Sequence, residues 1–420
     1  MHDNILGGFP AGDPGLRDLD REGRAMITPV MPTYGRYDVT LDHGKGVYVY
    51  GSDGRRFLDF GAGIAVASLG HCHPHLVDAL KSQAETLWHV SNLYKIPEQN
   101  RLAERLVANT FADSVFFNNS GAEAVEFGFK MMRKYHAEAG NPERYRVICL
   151  EGAFHGRSLA CIAAGRQEKH LAGFGPIVDG FDQVTFGDLN EMRVAITPET
   201  AGIVIELVQG EGGIRPVDTD YLKALRQITD EFGLLLMYDE VQTGIGRTGS
   251  LYAYEHSGVA PDILASAKGL GGGFPVGACL AKEAPAASMT AGSHGSTFGG
   301  NPLAMAVGNA VLDVLLKDGF LDGVSSVAAY LNDQLQALAK RHDTILCGVR
   351  GLGLMLGLQC RSEVQNGDLV SAVMAEGMLT VPAGDNVVRL VPPLIIGNSE
   401  VDEAVAMLDA ACASLENWPG

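Results

Sequence analysis

Short runs of apolar and β-branched residues recur through the middle of this 420-residue chain, each followed by a glycine-rich turn or a helical pattern. The runs are SVFFN (114–118), RVICL (146–150), GIVIELV (202–208), LLLMY (234–238) and VGACLA (276–281). Strands that alternate with helical segments are typical of parallel sheets with helices on their faces. The pattern therefore predicts an α/β fold with a mostly parallel sheet.

The pattern changes at about residue 310, where a long helical stretch begins. It is followed by ILCGVRGLGLMLGLQC, a further helix, GMLTVPAG, VVRLVPPL and the closing helical segment SEVDEAVAMLDAACASL. Near the beginning of the chain, GVYVYGSDGRRFLDF is typical of a hairpin that turns at Ser52, Asp53 and Gly54. We expect its strands to join a smaller α+β domain formed mainly by the end of the chain.

The chain is thus predicted to form a large and a small domain. Residues 1–60 are expected to be an N-terminal arm and strands that join the small domain, residues 61–309 the large domain, and residues 310–420 the rest of the small domain. The 46% content of hydrophobic residues supplies ample core for both.

Composition and charge narrow the possible partners and compartments. A net charge of −18 and a pI near 5.0 argue against nucleic acid as a partner, because no basic surface is left to neutralise phosphates. The first 30 residues lack a basic start and an apolar segment, and no apolar run reaches the length of a membrane span. Seven scattered cysteines without a CxxC pair are typical of reduced thiols. We expect a cytoplasmic protein with a loosely ordered N-terminal arm and no membrane partner.

A literal GxGxxG occurs in DEVQTGIGRTG, residues 239–249, behind an apolar run. A dinucleotide fingerprint needs a strand that runs straight into the first glycine and an acidic residue about 20 residues further on. Here five residues separate Tyr238 from Gly244, and the corresponding downstream stretch is AKGLGGGFP, which contains no acid. The glycines are interpreted as shaping a loop, and those of GLGLMLG, residues 351–357, as a bend in a strand-like run.

Asp239 and Lys268 carry the chemistry that this region suggests. Asp239 follows a buried strand, and open α/β sheets bind ligands in the crevice beyond their strand ends. Lys268 lies in SAKGLGGGFPVG, where small and apolar neighbours favour a lowered pKa and Schiff-base chemistry. A Schiff-base lysine and an aspartate paired with a pyridinium nitrogen are the two groups that pyridoxal phosphate requires. Taken alone, Asp239–Glu240 is equally compatible with a metal or Walker B site, and a lone lysine with a surface position.

A phosphate site is predicted where VFFNN leads into SGAEAVEF. Ser120, Gly121 and Ala122 open a helix there, and the free N–H groups and dipole of a helix start attract an anion. The SxxE spacing of Ser120 and Glu123 also fits a capping box. Both interpretations can hold at one helix start.

EGAFHGRS, residues 151–158, follows another predicted strand and contains Phe154 and Arg157. A flat ring can cover a pyridine face, and a guanidinium can bind a carboxylate through two hydrogen bonds. The alternative is a core phenylalanine beside a surface arginine.

The histidines of LGHCHPHL, His71, His73 and His75, are closely spaced enough to suggest zinc. Pro74 and the absence of a matching ligand cluster argue against a metal site. No metal is therefore predicted, and polar contacts within a turn are expected instead.

The motifs SGAEA, FHGR, VQGEGG, DEVQTGIGRTG, AKGLGGGFPVGA, GSTFGGNP and VPAGDNVVRLVPPL occur in this order. In this combination the chain resembles the class III, fold-type I aminotransferases that depend on pyridoxal phosphate, from about Tyr34 to Leu415. The resemblance implies a homodimer with active sites at the subunit interface, a large cofactor-binding domain and a small domain built from both chain ends. Two residues depart from the family pattern, Leu207 and Val125, and neither position carries a catalytic group.

The resemblance also implies a role for each of eight cofactor-binding residues. Lys268 forms the Schiff base, Asp239 pairs with the pyridine nitrogen, Val241 and Phe154 sandwich the ring, Gln242 lies near the ring hydroxyl, and Gly121 and Ala122 hold the phosphate with Thr297 from the partner subunit.

For the substrates, the resemblance implies that Arg157 binds the acetylornithine carboxylate with Ser296 nearby, and that Glu211 pairs with Arg389 until glutamate needs that arginine. The implied reaction moves the δ-amino group of N-acetylornithine to 2-oxoglutarate and yields glutamate and N-acetylglutamate semialdehyde, a step of arginine biosynthesis. Ile64 stands where ornithine aminotransferases carry a tyrosine, which favours an acylated donor.

Other functions stay open from the sequence. Succinylornithine, N-succinyl-diaminopimelate or another ω-amine would serve as donor in closely related class III enzymes. A nicotinamide oxidoreductase needs the acid that the GxGxxG stretch lacks. A catalytically silent binding protein is disfavoured because Lys268 and Asp239 are both present.

Overall fold

The computed structural model describes residues 29–416, so the predicted N-terminal arm lies almost wholly outside the described residues. The strands are β1 (Leu41–Lys45), β2 (Tyr48–Gly51), β3 (Arg56–Asp59), β4 (Ser114–Asn118), β5 (Arg146–Leu150), β6 (Phe181–Val184), β7 (Thr200–Glu206), β8 (Val208–Gln209), β9 (Arg215–Pro216), β10 (Leu235–Asp239), β11 (Ile263–Ser266), β12 (Gly277–Ala281), β13 (Leu346–Leu352), β14 (Met355–Cys360), β15 (Met378–Leu379), β16 (Val381–Ala383) and β17 (Val387–Leu390).

The helices are α1 (Ala62–Ala65), α2 (Pro74–Ala84), α3 (Pro97–Ala108), α4 (Gly121–Glu138), α5 (Leu159–Gly165), α6 (Glu168–Leu171), α7 (Leu189–Ala195), α8 (Thr219–Phe232), α9 (Glu283–Ala287), α10 (Pro302–Leu315), α11 (Phe320–Arg341), α12 (Asn366–Ala375) and α13 (Asn398–Glu416). Two short 3₁₀ helices, Ala253–His256 and Lys268–Gly271, complete the set for the described chain. None of these helices is both long and apolar enough to cross a membrane.

The central sheet has seven strands in the order β4-β12-β11-β10-β7-β5-β6. Its pairs are parallel except those of β12, which runs antiparallel to both neighbours. Side chains of β10 alternate between two cores: Leu235 and Met237 face helices α4 and α5, whereas Leu236 and Tyr238 face the other layer. Helices therefore cover both faces, and the predicted α/β class with a mostly parallel sheet is confirmed.

Two strands of this sheet, β6 and β11, were not among those predicted. Each has only four residues, and a run of that length between turns is hard to distinguish from loop by its pattern alone. The omission matters at β11, because this strand pairs with β10 and ends just before Lys268.

Two smaller sheets are formed by strands from residues 41–59 and 346–390. The predicted hairpin is present as β2 and β3, and β3 pairs in parallel with β15, so the first strands share a sheet with a segment more than 300 residues downstream. The other sheet has the order β13-β14-β17-β16, and the stretch GLGLMLG forms the β13–β14 hairpin. Gly353 turns this hairpin with φ of +59°, where an added Cβ would lie 2.4 Å from the Cα atom of Thr248. The division into two domains stays a prediction.

Arg247 joins the loop after β10 to the C-terminal sheet. The side chain is 2% exposed, and its Nη1 donates hydrogen bonds to the carbonyl oxygens of Leu354 (3.1 Å) and Pro392 (2.5 Å). No described carboxylate pairs with it, and burial lowers its pKa to about 9. The guanidinium therefore links two parts of the chain through backbone carbonyls alone.

Candidate active site

The carboxyl ends of three neighbouring parallel strands meet at one cavity of about 350 Å³. Asp239 ends β10, and its register partner Glu206 ends β7. β11, on the other side of β10, leads directly into Lys268. Seven of the predicted site residues line this cavity: Gly121, Ala122, Phe154, Asp239, Val241, Gln242 and Lys268.

Lys268 begins a short 3₁₀ helix with φ of +46°, in the left-handed region that residues with a Cβ rarely adopt. Burial lowers the pKa of its ammonium to about 8, and the charge of Arg389 acts in the same direction. Glu211 and Asp239 oppose this shift without cancelling it. Lys268 is therefore neutral near pH 7 more often than an ordinary lysine, which favours its action as a nucleophile or proton acceptor.

Asp239 is 5% exposed, and both of its oxygens accept hydrogen bonds from the protein. Nδ1 of His155 lies 2.8 Å from Oδ2, and the backbone N–H of Val241 donates to Oδ1 over 3.1 Å. Burial alone lowers the pKa of His155, but the hydrogen bond and charge of Asp239 outweigh burial and raise it. The two side chains form a buried, hydrogen-bonded pair that fixes the direction of the carboxylate.

Glu206 is a second buried carboxylate beside Asp239. Its Oε1 accepts from the N–H of Phe154 (2.8 Å) and its Oε2 from the N–H of Gly210 (3.2 Å). Burial raises the pKa of Glu206 to about 7, and Asp239 adds to the effect whereas His155 opposes it. Glu206 thus fixes the backbone that carries Phe154. His155 and Glu206 were not predicted, although FHGR contains the first and GIVIELV the second.

Helix α4 begins at the cavity with Gly121 and Ala122. Oγ of Ser120 accepts from the N–H of Glu123 over 3.3 Å, as a capping box requires. The carboxylate of Glu123 instead accepts from the N–H of Asn119 over 2.6 Å, one residue earlier than the motif predicts. The cap therefore leaves the first N–H groups of the helix available to an anion.

Gly121 allows this helix start to approach the loop after β10. A Cβ at Gly121 would lie 2.6 Å from Cγ1 of Val241, which is closer than real side chains pack. Any larger residue would push the helix start away from the wall that Val241 forms.

Phe154 lies at the rim of the cavity between two polar side chains. Cζ of Arg157 is 5.7 Å from the centre of its ring, and the imidazole of His170 packs edge-on at 5.7 Å. Arg157 is exposed and lies outside the lining of the cavity. Its guanidinium is therefore accessible to an incoming ligand.

Arg389 and Glu211 form an ion pair near the cavity, with Nη1 and Oε1 2.8 Å apart. Arg389 is 1% exposed and also donates to Oε1 of Gln242 over 3.1 Å, while its Nε has no partner in the described chain. Burial alone raises the pKa of Glu211, but the charge of Arg389 outweighs burial and lowers it. The predicted pairing of these two residues is therefore present in the structure.

Ser296 and Thr297 lie outside the cavity of the single chain. Oγ of Ser296 accepts from Nδ2 of Asn119 (3.2 Å) and from the N–H of Gly299 (2.9 Å), which ties this loop to the start of α4. Thr297 is exposed, and its neighbour Phe298 exposes 62% of its surface. Ile64 is likewise outside the cavity, 38% exposed, with φ of +64°.

Two of the three histidines for which zinc was considered contact carboxylates instead. His71 lies 2.7 Å from Asp59, and His75 lies 2.9 Å from Asp313. Within residues 29–416, no group of three or more histidine, cysteine or acidic side chains is arranged to hold a metal ion.

Comparisons with known proteins agree with this geometry. The profile of the family described as aminotransferase class-III matches residues 31–412. The acetylornithine aminotransferase of Agrobacterium fabrum is 57% identical over 387 residues, covering 92% of this chain and 96% of that protein.

Two solved structures show the same fold. The N-acetylornithine aminotransferase of Stenotrophomonas maltophilia superposes with a TM-score of 0.80 at 37% identity, covering 91% of this chain and 97% of that one. The ornithine aminotransferase of Toxoplasma gondii, whose active site is partially occupied by pyridoxal phosphate, has a TM-score of 0.88 at 31% identity and covers 92% and 93%.

Proposed function

We propose, from the premise that this chain belongs to the class III aminotransferase family, that it transfers the δ-amino group of N-acetylornithine to 2-oxoglutarate with pyridoxal phosphate as cofactor. The single observation that carries the proposal is the placement of Lys268, Asp239 and the start of α4 around one cavity. The 57% identity to an acetylornithine aminotransferase supports the choice of donor. The products are glutamate and N-acetylglutamate semialdehyde, as in arginine biosynthesis.

The residues around the cavity fit pyridoxal phosphate. An amine with a lowered pKa, a buried charged carboxylate and an uncapped pair of helix N–H groups are the partners of an aldehyde, a pyridinium and a phosphate. Val241 and Phe154 supply apolar walls for a flat ring, and the glycine at position 121 leaves room between α4 and Val241. Gln242 is the polar residue beside this space, suited to the ring hydroxyl.

When bound, pyridoxal phosphate supplies an electron sink that stabilises negative charge on the substrate carbon next to the reacting nitrogen. Lys268 supplies the amine that holds the cofactor covalently at rest and that moves a proton at this carbon during transfer. Asp239 is held in place by His155, and its carboxylate favours a protonated ring nitrogen. Each pKa unit by which it does so corresponds to about 1.4 kcal/mol.

Two arginines bind the carboxylates of the two amino donors. Arg157, exposed beside Phe154, binds the α-carboxylate of N-acetylornithine, with Ser296 nearby. Arg389 binds the second carboxylate of glutamate once Glu211 moves aside. Since the pair neutralises both charges when N-acetylornithine binds, one site can accept two different donors.

Replacing Arg389 with alanine should therefore slow the glutamate half-reaction by at least tenfold and spare the N-acetylornithine half-reaction. A lost charged contact typically costs about 2 to 5 kcal/mol. Arg157→Ala, by contrast, should slow both half-reactions. Stopped-flow absorbance measures each half-reaction separately. Equal losses in both half-reactions for Arg389→Ala would exclude a role of Arg389 that is confined to glutamate.

Glu211→Ala tests whether Glu211 keeps Arg389 from binding the other donor. In this variant the unpaired Arg389 should hold N-acetylornithine in an unproductive position.

The enzyme is proposed to act as a homodimer in the cytoplasm. Large apolar side chains are exposed near the loop that carries Thr297, and a second copy would cover them: Trp88 (65%), Leu93 (88%), Tyr94 (66%) and Phe298 (62%). Thr297 would then reach the phosphate site of the partner, which explains why it is exposed in the single chain. The seven cysteines are all unpaired, as expected in a reducing compartment.

A panel of amino donors with 2-oxoglutarate as acceptor tests the proposal. N-acetylornithine should have the highest kcat/KM among N-acetylornithine, N-succinylornithine, ornithine and N-succinyl-diaminopimelate. A clear preference for a succinylated donor would move the assignment to a sister enzyme. No glutamate formed from any δ- or ω-amine would refute the proposed function.

A further inference from the structure

His170 occupies the rim of the site without a role in the function proposed so far. It lies in α6, and its ring contacts Phe154 edge-on at 5.7 Å with an interplanar angle of 73°. Arg157 flanks the same phenylalanine, with Cζ also 5.7 Å from the ring centre. The imidazole and the guanidinium thus share one aromatic platform that borders the cavity.

The imidazole is neutral and available at this position. Burial and the charges of Arg157 and Lys169 lower the pKa of His170 to about 4, and Glu211 only weakly opposes them. Neither ring nitrogen hydrogen-bonds to another residue of the described chain. At neutral pH, His170 therefore offers one N–H donor and one acceptor nitrogen that the protein itself leaves unused.

We propose that His170 binds the acyl group of the amino donor and so makes the enzyme prefer N-acylated over free ornithine. The inference rests on the proposed function, because it assumes that Arg157 binds the α-carboxylate. The acylated nitrogen is attached to the same carbon as that carboxylate, and it lies about 6 Å from the reacting δ-nitrogen in an extended chain. The acyl carbonyl is then held at the rim, where the N–H of His170 can donate to its oxygen.

The same surroundings disfavour a free α-amine. An α-ammonium in this position would meet the positive charges of Arg157 and Lys169, whereas an amide carries no charge. Discrimination would thus combine one added hydrogen bond for the acylated donor with repulsion of the unacylated one.

The test compares kcat/KM for N-acetylornithine and for ornithine in His170→Phe, which keeps the ring packing on Phe154 and removes both nitrogens. We expect the ratio of the two values to fall by about tenfold, chiefly through a higher KM for N-acetylornithine. His170→Tyr, which restores a donor on a ring, should recover part of the ratio. His43→Phe, the same substitution on the exposed strand β1, should leave the ratio unchanged.

The outcomes separate this inference from the function on which it rests. If the unmodified enzyme uses N-acetylornithine and His170→Phe keeps the original ratio, the acyl-binding role is wrong and the proposed function stands. An equal loss with both donors would likewise overturn it, because a merely structural residue behaves in that way. Failure of the unmodified enzyme to use N-acetylornithine would remove the function itself. Cofactor content measured on each variant confirms that the site is intact.

Discussion

Replacing Lys268 with alanine should lower the rate of amino transfer by at least about 10³-fold, because both covalent attachment of the cofactor and proton transfer are lost together. Among the described residues that line the cavity, Lys268 is the one lysine, so no second amine can take over. Each half-reaction measured in a single turnover should show the loss. Lys81→Ala, at an exposed position of α2, is the matched control and should behave as the unmodified enzyme.

Chemical labelling supplies an independent readout for this lysine. Borohydride reduction of the unmodified enzyme with pyridoxal phosphate should fix the cofactor to Lys268, as peptide mapping would show. The alanine variant should carry no label, and a small added amine should restore part of its proton transfer. A label on a different lysine would contradict the assignment.

Asp239→Asn is expected to have the second largest effect, a loss of about 10² to 10³-fold in single-turnover rate with the fold intact. An amide keeps the hydrogen-bonding shape of the carboxylate but cannot favour a protonated ring nitrogen, and a lost stabilisation of two to three pKa units corresponds to about 3 to 4 kcal/mol. His155 would also lose the charged partner that raises its pKa and should become neutral.

Asp262→Asn provides the matched control for this substitution. Asp262 is also buried, at 8% exposure, and it binds Arg226 and Lys282 next to the opposite end of the same strands. Its amide variant should lower the free energy of unfolding and leave the single-turnover rate of the folded enzyme near normal. If Asp239→Asn also reacted at a near-normal rate, the aspartate could not be the partner of the ring nitrogen.

Much of the fold can be predicted from the sequence, because the long buried strands are continuous apolar runs. β5 and β10 were predicted to within one residue, and the β2–β3 hairpin was predicted from its turn. β11 was not predicted although it lies inside the sheet, because four residues are too few to show a hydrophobic periodicity. Its place between β10 and β12 depends on pairing between separate segments, which a local pattern does not show. The parallel pairing of β3 with β15 also joins distant segments, so the local sequence pattern does not show it.

The residues of the candidate site also fall into two groups, those found from local sequence and those that only long-range contacts reveal. Asp239 can be found from the sequence because it follows a long apolar strand, and Lys268 because small and apolar residues surround it in SAKGLGGGFPVG, although the strand before it was not predicted. Glu206 becomes visible only through the register of β7 with β10, which places it opposite Asp239. His155 becomes visible only through the loop after β5, which brings its imidazole to Asp239. The ion pair of Glu211 and Arg389 joins residues 178 positions apart, and only the resemblance to a family suggested it in advance.

Arg247 has a consequence for how this family can change its sequence. Because its guanidinium donates to the carbonyls of Leu354 and Pro392, the contact does not depend on which side chains occupy those two positions. The residue types at both positions can therefore change during evolution while the contact between the loop after β10 and the C-terminal sheet is kept. A change in length has a larger effect. One residue inserted into the β13–β14 hairpin would move the carbonyl of Leu354 out of reach and leave the buried guanidinium of Arg247 without this partner. Insertions and deletions in relatives should thus avoid the β13–β14 hairpin and the segment after β17 that contains Pro392, and accumulate elsewhere on the surface.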